Sequence, residues 1–446
     1  MMNRFLSATG AEALSALAQD AAERSGLPIP VPPSKSAIHL PADHYLHRTA
    51  PTEWWWNIGA LRAGDRTFGF EINCASFEGQ GGFGFSQVML ADVKNNRHYQ
   101  RTTPFLPLAF DGNNWAEHDP TKDWSVRLGD PNNALSAIEV TNPGSGYTSA
   151  PAVEISGGGG ALGFALAAPP VDGKLTMIVL VIPGLGYTSE PTVTITGGGG
   201  SGATARAVHS YVTMNAPWGD PTKNMAVKAL LIDEATDAVV NFDLTLSQQG
   251  PPFIVWGTGS HPVPGTSGGH LQTNNYYYSL TRLQASGSVT VEGERFDVTG
   301  TTWMDHEYGA FTQGGKAVKW ILQDMQLDNG VCISNFSVPN PSSPPPALNQ
   351  KSASQATVQR SDGTTYFVPS FFTPVGNVWT SPVTGIAYFM ELLVEIPSFG
   401  ASITVKSLMD AQEFRGGPVY EGVASATGTF EGVPVTGDAW SEQALH

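Results

Sequence analysis

The sequence is poor in several residue types, and each shortage excludes a class of protein. Only two of its 446 residues are cysteines, Cys74 and Cys332, so the chain can build neither a disulfide framework nor a thiolate metal cage. Both lie within apolar runs and are predicted to be buried free thiols. Lysine and arginine total 23 against 39 aspartates and glutamates, and the net charge of −16 argues against nucleic acid as a partner.

Long apolar runs are also missing, so we expect no integral membrane segment. In the first 26 residues, Glu12 interrupts what would otherwise resemble the core of a signal peptide. This segment is predicted to form a short amphipathic helix with Leu14, Leu17 and Ala21 on one face. A cytoplasmic location is favoured, with export left open if a signal peptide was removed.

Familiar cofactor motifs are absent as well. The ten histidines follow no recognisable metal-ligand spacing, and no glycine-rich dinucleotide fingerprint joins a strand to a helix. We therefore expect no metal site and no organic cofactor. Nothing in the sequence indicates the oligomeric state.

Strand-forming segments punctuated by turns make up most of the chain. Its 50 glycines and 33 prolines separate short alternating segments such as "RTFGFEIN" and "AVVNFDLTLS". This pattern predicts a mainly β protein whose antiparallel sheets form barrels or sandwiches, because closure or stacking hides sheet edges. Residues 1–50 are predicted to form the N-terminal helix and a proline-rich arm.

One internal repeat stands apart from the other segments. The stretch "NPGSGYTSAPAVEISGGGG" from Asn142 recurs as "IPGLGYTSEPTVTITGGGG" from Ile182, which indicates a duplicated β unit. Its glycine tetrads lack the ending of a phosphate loop and are interpreted as structural turns. Removing residues 135–208 would join two segments typical of neighbouring strands, so this range is predicted to be an inserted module.

Two short stretches combine acids with aromatic residues, "TTWMDHEYGAF" from Thr301 and "APTEWWWNIGAL" from Ala50. Side chains alternate between the two faces of a strand, so Trp303, Asp305 and Glu307 are predicted to share one face. Carboxylates are costly to bury among aromatics unless they are paired or neutral, and desolvation raises their pKa toward that of a useful acid. We therefore interpret Asp305 and Glu307 as functional, and leave His306 open between a structural and a functional role.

The same alternation applies to the second stretch. It places Glu53 and Trp55 on one face of a strand, and Trp54 and Trp56 on the other. Trp54 and Trp56 are interpreted first as core residues, since large aromatics in β proteins usually pack inside.

Three segments together resemble a known family: "EWWWNIGAL" with "FGFEI", "NNYYYSLTRLQASGSVTVEGERFDVTGTTWMDHEYG", and "YEGVASATGTFEGVPVTGDAW". The chain is similar to the carotenoid 1,2-hydratase (hydroxyneurosporene synthase) family, which includes kievitone hydratase-like enzymes. The resemblance covers about residues 43–440 without the repeat. It implies two lipocalin-like domains, expected at residues 51–300 and 301–446, and a fold related to Diels–Alderase-type pericyclases.

The resemblance implies a cofactor-independent hydro-lyase, or a related cyclase, acting on an alkene of a hydrophobic terpenoid, polyene or prenylated small molecule. Asp305 is the expected proton donor, Glu307 or His306 would position water, and Glu53 is a second candidate acid. The expected substrate contacts are Trp55, Trp303, Tyr277, Tyr308 and Trp56. Two alternatives stay open: a lipocalin-like carrier of an apolar ligand, and a pericyclase that needs no proton transfer.

Overall fold

The structure is a computed structural model that describes residues 27–77, 83–105, 115–129, 134–311, 318–339, 342, 344–415 and 417–445. The amphipathic helix predicted within the first 26 residues lies outside this range. The described elements are nearly all strands, with 3-10 helices at Pro33–Lys35, Ala42–His44 and Pro397–Phe399 and one helical turn, α1 (His270–Thr273). The prediction of a mainly β protein is confirmed. None of the described helices is long and apolar enough to cross a membrane.

The strands follow one another in four groups along the chain. The first group is β1 (Thr52–Ala63), β2 (Arg66–Phe77), β3 (Phe83–Asp92), β4 (Arg97–Phe105) and β5 (Ser125–Leu128). The second group is β6 (Ala137–Ser145), β7 (Ala152–Ser156), β8 (Phe164–Ala167), β9 (Ile178–Ile182), β10 (Thr192–Thr196) and β11 (Ser201–Val208). The third group is β12 (Tyr211–Asn215), β13 (Asn224–Ile232), β14 (Val239–Gln248), β15 (Phe253–Ile254), β16 (Ser260–Pro262), β17 (Asn274–Val291) and β18 (Glu294–Gly309). The fourth group is β19 (Trp320–Leu327), β20 (Cys332–Ser337), β21 (Ser352–Gln359), β22 (Thr365–Thr380), β23 (Ala387–Ile396), β24 (Ala401–Ser407), β25 (Glu413–Phe414), β26 (Val419–Phe430) and β27 (Val433–Ala444).

The first and third groups form one curled antiparallel sheet, the first barrel. Its strand order is β4-β3-β2-β1-β18-β17-β14-β13-β12-β5, and β15 and β16 also pair with β17. Phe70 on β2 and Phe242 on β14 are separated by three strands, yet their ring centroids are 6.3 Å apart across the interior. The edge strand β4 reaches the end of β13, where the amide of Gln100 donates to Asp233 Oδ1 at 2.8 Å. The sheet therefore wraps around a single core.

The fourth group forms a second barrel that closes on itself. Strand β24 pairs with β23 on one side and with β26 on the other, which completes a ring of eight strands from β19 to β24 with β26 and β27. Val394, Ile403 and Val405 point into its apolar core. Closure pairs every strand of the ring on both sides, which removes the free edges that would otherwise invite aggregation.

The two barrels pack together through the outer faces of β1, β2 and β18 in the first barrel and of β26 and β27 in the second. Ile58 and Trp303 from the first barrel join Val423 and Trp440 from the second in one buried cluster. The backbones approach so closely that a Cβ atom on Gly69 would lie 2.5 Å from the Val423 side chain. Residues 302–309 of β18 are consequently buried on both faces of the strand.

The expected boundary at residue 300 falls inside a strand of the first barrel. The second half of β18, up to Gly309, pairs with β1 on one side and with β17 on the other. The second barrel begins only at Trp320. The boundary therefore lies between these two residues, because the motif "TTWMDHEYG" completes the first sheet instead of opening the second.

The second group of strands is inserted between two paired strands of the first barrel, β5 and β12. It forms its own small sheets, with strand orders β11-β6-β9-β8 and β10-β7. The two copies of the repeat exchange contacts: the Tyr147 hydroxyl accepts from the Ala203 amide, and the Tyr187 hydroxyl accepts from the Gly163 amide. Each copy thus buries its tyrosine against the other copy.

Candidate functional site

The two acid-bearing stretches lie side by side because β1 pairs antiparallel with β18. In this register Trp55 lies opposite His306, and Trp56 lies opposite Asp305. Alternate side chains of each strand project to opposite faces, so neighbours along the chain separate. The residues predicted from the sequence therefore form two groups, one on each face of the same pair of strands.

The inner group faces the core of the first barrel and consists of Glu53, Trp55, His306 and Tyr308. The outer group faces the second barrel and consists of Trp56, Tyr277, Trp303, Asp305 and Glu307. The structure does not bring the two groups together, because the sheet itself stands between them. Neither Glu53 nor His306 can position water for a molecule held against Asp305.

Asp305 is the central acid of the outer group. Only 4% of the residue is exposed. Its Oδ1 accepts a hydrogen bond from Ser279 Oγ at 2.5 Å and another from Trp303 Nε1 at 2.7 Å. Burial raises the pKa of the carboxyl to about 6, and the hydrogen bonds from Ser279 and Trp303 only partly oppose this rise. A large fraction of the Asp305 carboxyls is therefore protonated at pH values near 6.

Five further carboxyls enter the layer between the barrels. They are Glu71 on β2, Glu307 on β18, Asp324 on β19, Glu421 on β26 and Glu442 on β27. Burial raises the pKa of every one of them, to about 8 for Glu442, and the charges of their neighbours add to the effect. So many acids cannot all be ionised in one dry layer, and they are expected to share protons.

Asp324 is the least compensated of these acids. Neither of its carboxyl oxygens hydrogen-bonds to any residue that the structure describes. The residue is 2% exposed. Burial, followed by the charges of Asp305 and Glu442, raises its pKa well above the ordinary value. A neutral Asp324 next to Asp305 is the state that this environment favours.

Indole groups accompany the acids. Trp440 Nε1 donates to Glu421 Oε2 at 2.8 Å, and Trp320 Nε1 donates to Glu442 Oε2 at 3.2 Å. Trp303 Nε1 donates to Asp305 in the same way, so three of the carboxyls each accept a hydrogen bond from an indole N–H. The layer thus combines protonatable groups with electron-rich aromatic faces, which can stabilise a passing cation.

The sequence pattern missed the contribution of the second barrel. Asp324 lies in "WILQDMQL", where a single charged residue in a largely buried strand was a usable signal. Glu421 and Trp440 stand within the motifs that carry the family resemblance, and Glu442 follows closely. Nothing in the sequence alone indicates that these positions face Asp305.

Within the inner group, Glu53 contacts His306 and also a histidine of the N-terminal arm, His47. Glu53 Oε1 lies 2.8 Å from His47 Nδ1 and 3.0 Å from His306 Nε2. His306 Nδ1 lies 3.3 Å from the Tyr278 hydroxyl, which is also 2.5 Å from His44 Nδ1. Neither His47 nor His44 was a candidate from the sequence, because nothing local links the arm to β1 and β18.

Electrostatics within the inner group favour an ion pair. Burial is the largest influence on His47 and opposes its protonation, but the charges of Glu53 and Asp43 and the hydrogen bonds to them together outweigh burial and raise the pKa of His47 to about 9. Burial likewise opposes ionisation of Glu53, whose pKa is nevertheless lowered, chiefly by the charge of His47. Burial lowers the pKa of His306, and its bond to Glu53 only partly opposes this. Glu53 is therefore a poor proton donor.

Two sets of three side chains among the described residues place potential metal ligands within 4.8 Å of one another. One set is Asp305, Asp324 and Glu442, and the other is His47, Glu53 and His306. The first set offers only oxygens, and its raised pKa values show that protons can neutralise it instead of a cation.

A cleft of about 560 Å³ opens at the rim between the two barrels. Many of the residues that line it are polar, among them Arg62, Arg282, Gln326 and Asp438. It contains none of the six carboxyls of the acid layer, so it is not the place where these acids would meet a substrate. Most of the acid layer is buried by the packing of one barrel on the other, but Glu442 and Trp320 at its margin are only half-buried.

The chain and its fold are similar to several known proteins. Residues 196–442, more than half of the chain, match the AttH-like family. No curated protein matches the sequence significantly. An AttH protein of Nitrosomonas europaea has a TM-score of 0.57 and 17% identity, covering 94% of this chain and 99% of its own. Kievitone hydratase from Nectria haematococca has a TM-score of 0.54 and 13% identity, covering 92% of this chain and 93% of its own.

A third structure, CghA with Sch210972, has a TM-score of 0.45 and 9% identity, covering 89% of this chain and 88% of its own. The likeness to the AttH protein and to kievitone hydratase, both with TM-scores above 0.5, establishes a shared fold and no more at these identities. The resemblance inferred from the sequence motifs is confirmed. By the match over residues 196–442, the chain belongs to the AttH-like family.

Proposed function

We propose that the protein is an enzyme that adds water to, or cyclises, an alkene of an apolar substrate of the terpenoid, polyene or prenylated class. The observation that carries this proposal is the Asp305 carboxyl, which is buried among indoles and has a pKa of about 6. An unactivated alkene needs a strong proton donor, a means of stabilising the cation and a correctly placed water. The outer group offers an acid for the first and aromatic faces for the second, and its other carboxyl, Glu307, can orient a water molecule for the third.

Asp305 is the proposed proton donor. Ser279 and Trp303 both donate to Oδ1, so the acidic proton belongs on Oδ2. In the reaction the alkene π electrons take this proton, one carbon gains a C–H bond, and the other carbon becomes a cation. Asp305 is left as a carboxylate that hydrogen bonds with Ser279, Trp303 and Tyr277 stabilise, which lowers the cost of giving up the proton.

The cation would develop against aromatic faces. Trp303 and Trp440 lie in the same buried cluster between the barrels, and Tyr277 joins them from β17. A cation over an indole or phenol face is stabilised by about 0.5 to 2 kcal/mol for each ring. Rings from both barrels thus favour an apolar substrate that becomes transiently positive.

Capture of the cation by water requires a base. Glu307 shares the face of Asp305, and Asp324 and Glu442 approach from the second barrel. An ionised member of this set can orient a water molecule and accept its proton, which leaves an alcohol. If an internal alkene captures the cation first, the product is cyclic. The hydratase named among the fold relatives agrees with the first outcome.

The alternative of a carrier is weaker, because the interiors of the barrels are filled. Trp55, Trp115, Trp124 and Phe70 occupy the core of the first barrel, and aliphatic side chains fill the second. A carrier of the lipocalin type holds its ligand in an open barrel interior. A pericyclase remains the competing enzyme class, and it would not depend on the acidity of Asp305.

The test is a product assay with a panel of acyclic terpenes and prenylated phenols in water labelled with heavy oxygen. Conversion that places the label in the product identifies a hydratase, and conversion without mass gain identifies a cyclase. Asp305→Asn should lower the formation of either product by about 100-fold or more. Asp297→Asn, which changes an exposed acid on the same strand, should leave turnover unchanged. Full activity in Asp305→Asn would rule out proton donation by Asp305 and favour a pericyclase.

A further inference from the structure

The inner group has no role in the proposed reaction, yet it has the composition of a transition-metal site. We propose that His47, Glu53 and His306 bind one Zn²⁺ ion per chain inside the first barrel. The histidine spacing predicts no metal, because the ligands come from the arm, β1 and β18, which only the fold brings together. This proposal does not rest on the function proposed for Asp305.

The geometry of the three ligand atoms fits a small cation. His47 Nδ1, a Glu53 carboxylate oxygen and His306 Nε2 all lie within 4.8 Å of one another. Tetrahedral zinc with bonds of about 2 Å places its ligands roughly 3.3 Å apart. The contacts of 2.8 Å and 3.0 Å that Glu53 Oε1 makes with the two histidines need to open by only a few tenths of an ångström.

The ligand types select the kind of metal. Two imidazole nitrogens and one carboxylate suit zinc and its transition-metal neighbours, whereas Mg²⁺ and Ca²⁺ prefer oxygen ligands. Two histidines with one glutamate is also the protein ligand set of several zinc enzymes, and it leaves a fourth position for water.

Each histidine has a partner on its outward nitrogen, as metal-binding histidines almost always do. His47 turns Nε2 toward Asp43, whose Oδ1 lies 3.7 Å away. His306 turns Nδ1 toward the Tyr278 hydroxyl at 3.3 Å. A carboxylate behind a ligating histidine fixes the ring and its tautomer and increases its strength as a ligand.

The ligands are also held in place before any metal arrives. The His306 ring stacks on Trp55 with centroids 4.6 Å apart, and the His47 ring stacks on Tyr308 at 3.7 Å. The second oxygen of Glu53 accepts from the backbone amide of His47 at 2.7 Å. Such preorganisation reduces the entropy lost on binding.

An ion can reach the site from the arm. His306 is fully buried and Glu53 is 2% exposed, but 18% of the His47 side chain remains accessible. Zinc bound here would join the arm that follows Ala42–His44 to β1 and β18. It should therefore stabilise the first barrel as well as fill the site.

The experiment uses the full chain, stripped of metal with a chelator and titrated with zinc chloride by calorimetry. We expect one zinc per chain in the wild type. His47→Gln should weaken binding by at least about 100-fold, and His261→Gln, the same change at an exposed histidine, should leave it unaltered. Asp43→Asn, which removes no ligand, should weaken it by about 10- to 100-fold.

Two readouts on wild-type protein keep the proposal testable if a variant fails to fold. Cobalt substituted for zinc should give the intense visible absorption of a tetrahedral site, and zinc should raise the unfolding temperature of the stripped protein. Absence of stoichiometric zinc uptake by the wild type would overturn the proposal. Equal zinc affinity in wild type and in folded His47→Gln would do so too.

Discussion

Replacing Asp305 with asparagine should stabilise the protein at neutral pH while it removes most of the activity. Burial raises the pKa of this carboxyl from 3.8 to about 6. The folded state thus binds the proton more tightly than the unfolded state, so the stability contributed by this carboxyl is complete below about pH 4 and is lost as the pH rises through about 6. A shift of about 2 pKa units, at about 1.4 kcal/mol each, corresponds to a loss of about 3 kcal/mol above that pH.

Asparagine removes this loss because it is neutral at every pH. Its Oδ1 can still accept from Ser279 and Trp303, so these two hydrogen bonds and the shape of the side chain are retained. Urea unfolding of Asp305→Asn and wild type at about pH 4 and about pH 8 separates the two contributions. We expect similar stabilities at the lower pH and a variant that is more stable by up to about 3 kcal/mol at the higher pH.

The same variant tests the chemistry. Turnover of whichever panel alkene the wild type converts should fall by about 100-fold or more, since an amide cannot donate an acidic proton. Substrate binding should change little. Should Asp305→Asn unfold more easily at both pH values and keep near-full turnover, the carboxyl is a structural anion and its role as proton donor is refuted.

Three further results are expected. Trp303→Phe removes a donor that stabilises the Asp305 carboxylate, so the pKa of Asp305 should rise. The high-pH limb of the pH–rate profile, on which the rate falls as Asp305 loses its proton, should then move to higher pH, and an unchanged profile would place the titrating acid elsewhere. Deleting residues 135–208 with a short glycine–serine joint should leave a folded protein by circular dichroism, because β5 and β12 are already paired; loss of all soluble protein would show that the module completes the barrel. The pKa of His47 is raised to about 9 in the folded protein. In chelator-treated protein, the stability that protonated His47 contributes should therefore be complete below about pH 6.5 and be lost as the pH rises through about 9. Urea unfolding should show this decline in the wild type and not in His47→Gln.

The layer between the barrels illustrates why an active site can cost stability. Six carboxyls with raised pKa values lie in one buried layer, and Asp324 has no hydrogen-bond partner among the described residues. Replacing such groups with neutral or apolar ones commonly stabilises a protein. Their presence is explained if the layer must hold and move protons, as the proposed reaction requires.

Much of the fold could be predicted from the sequence because successive side chains of a strand point to opposite faces, so buried and exposed residues alternate. Alternation in β14 buries Val240, Phe242 and Leu244 and exposes the residues between them, as a half-buried strand requires. The duplicated "PGxGYTS" stretch likewise marks its own module. The domain boundary could not be placed in this way, since residues 302–309 are buried on both faces and their pattern resembles the core of either barrel.

Within the candidate site, the sequence by itself determined which neighbours share a face. The alternation along "TTWMDHEYG" separates Asp305 from His306, and that separation holds in the structure. Only the tertiary structure decided what each face meets: Asp324 and Glu442 come from a different barrel, and His47 comes from the arm. The backbone geometry of a strand is local, whereas its partners depend on long-range pairing and packing, which no short stretch of sequence encodes.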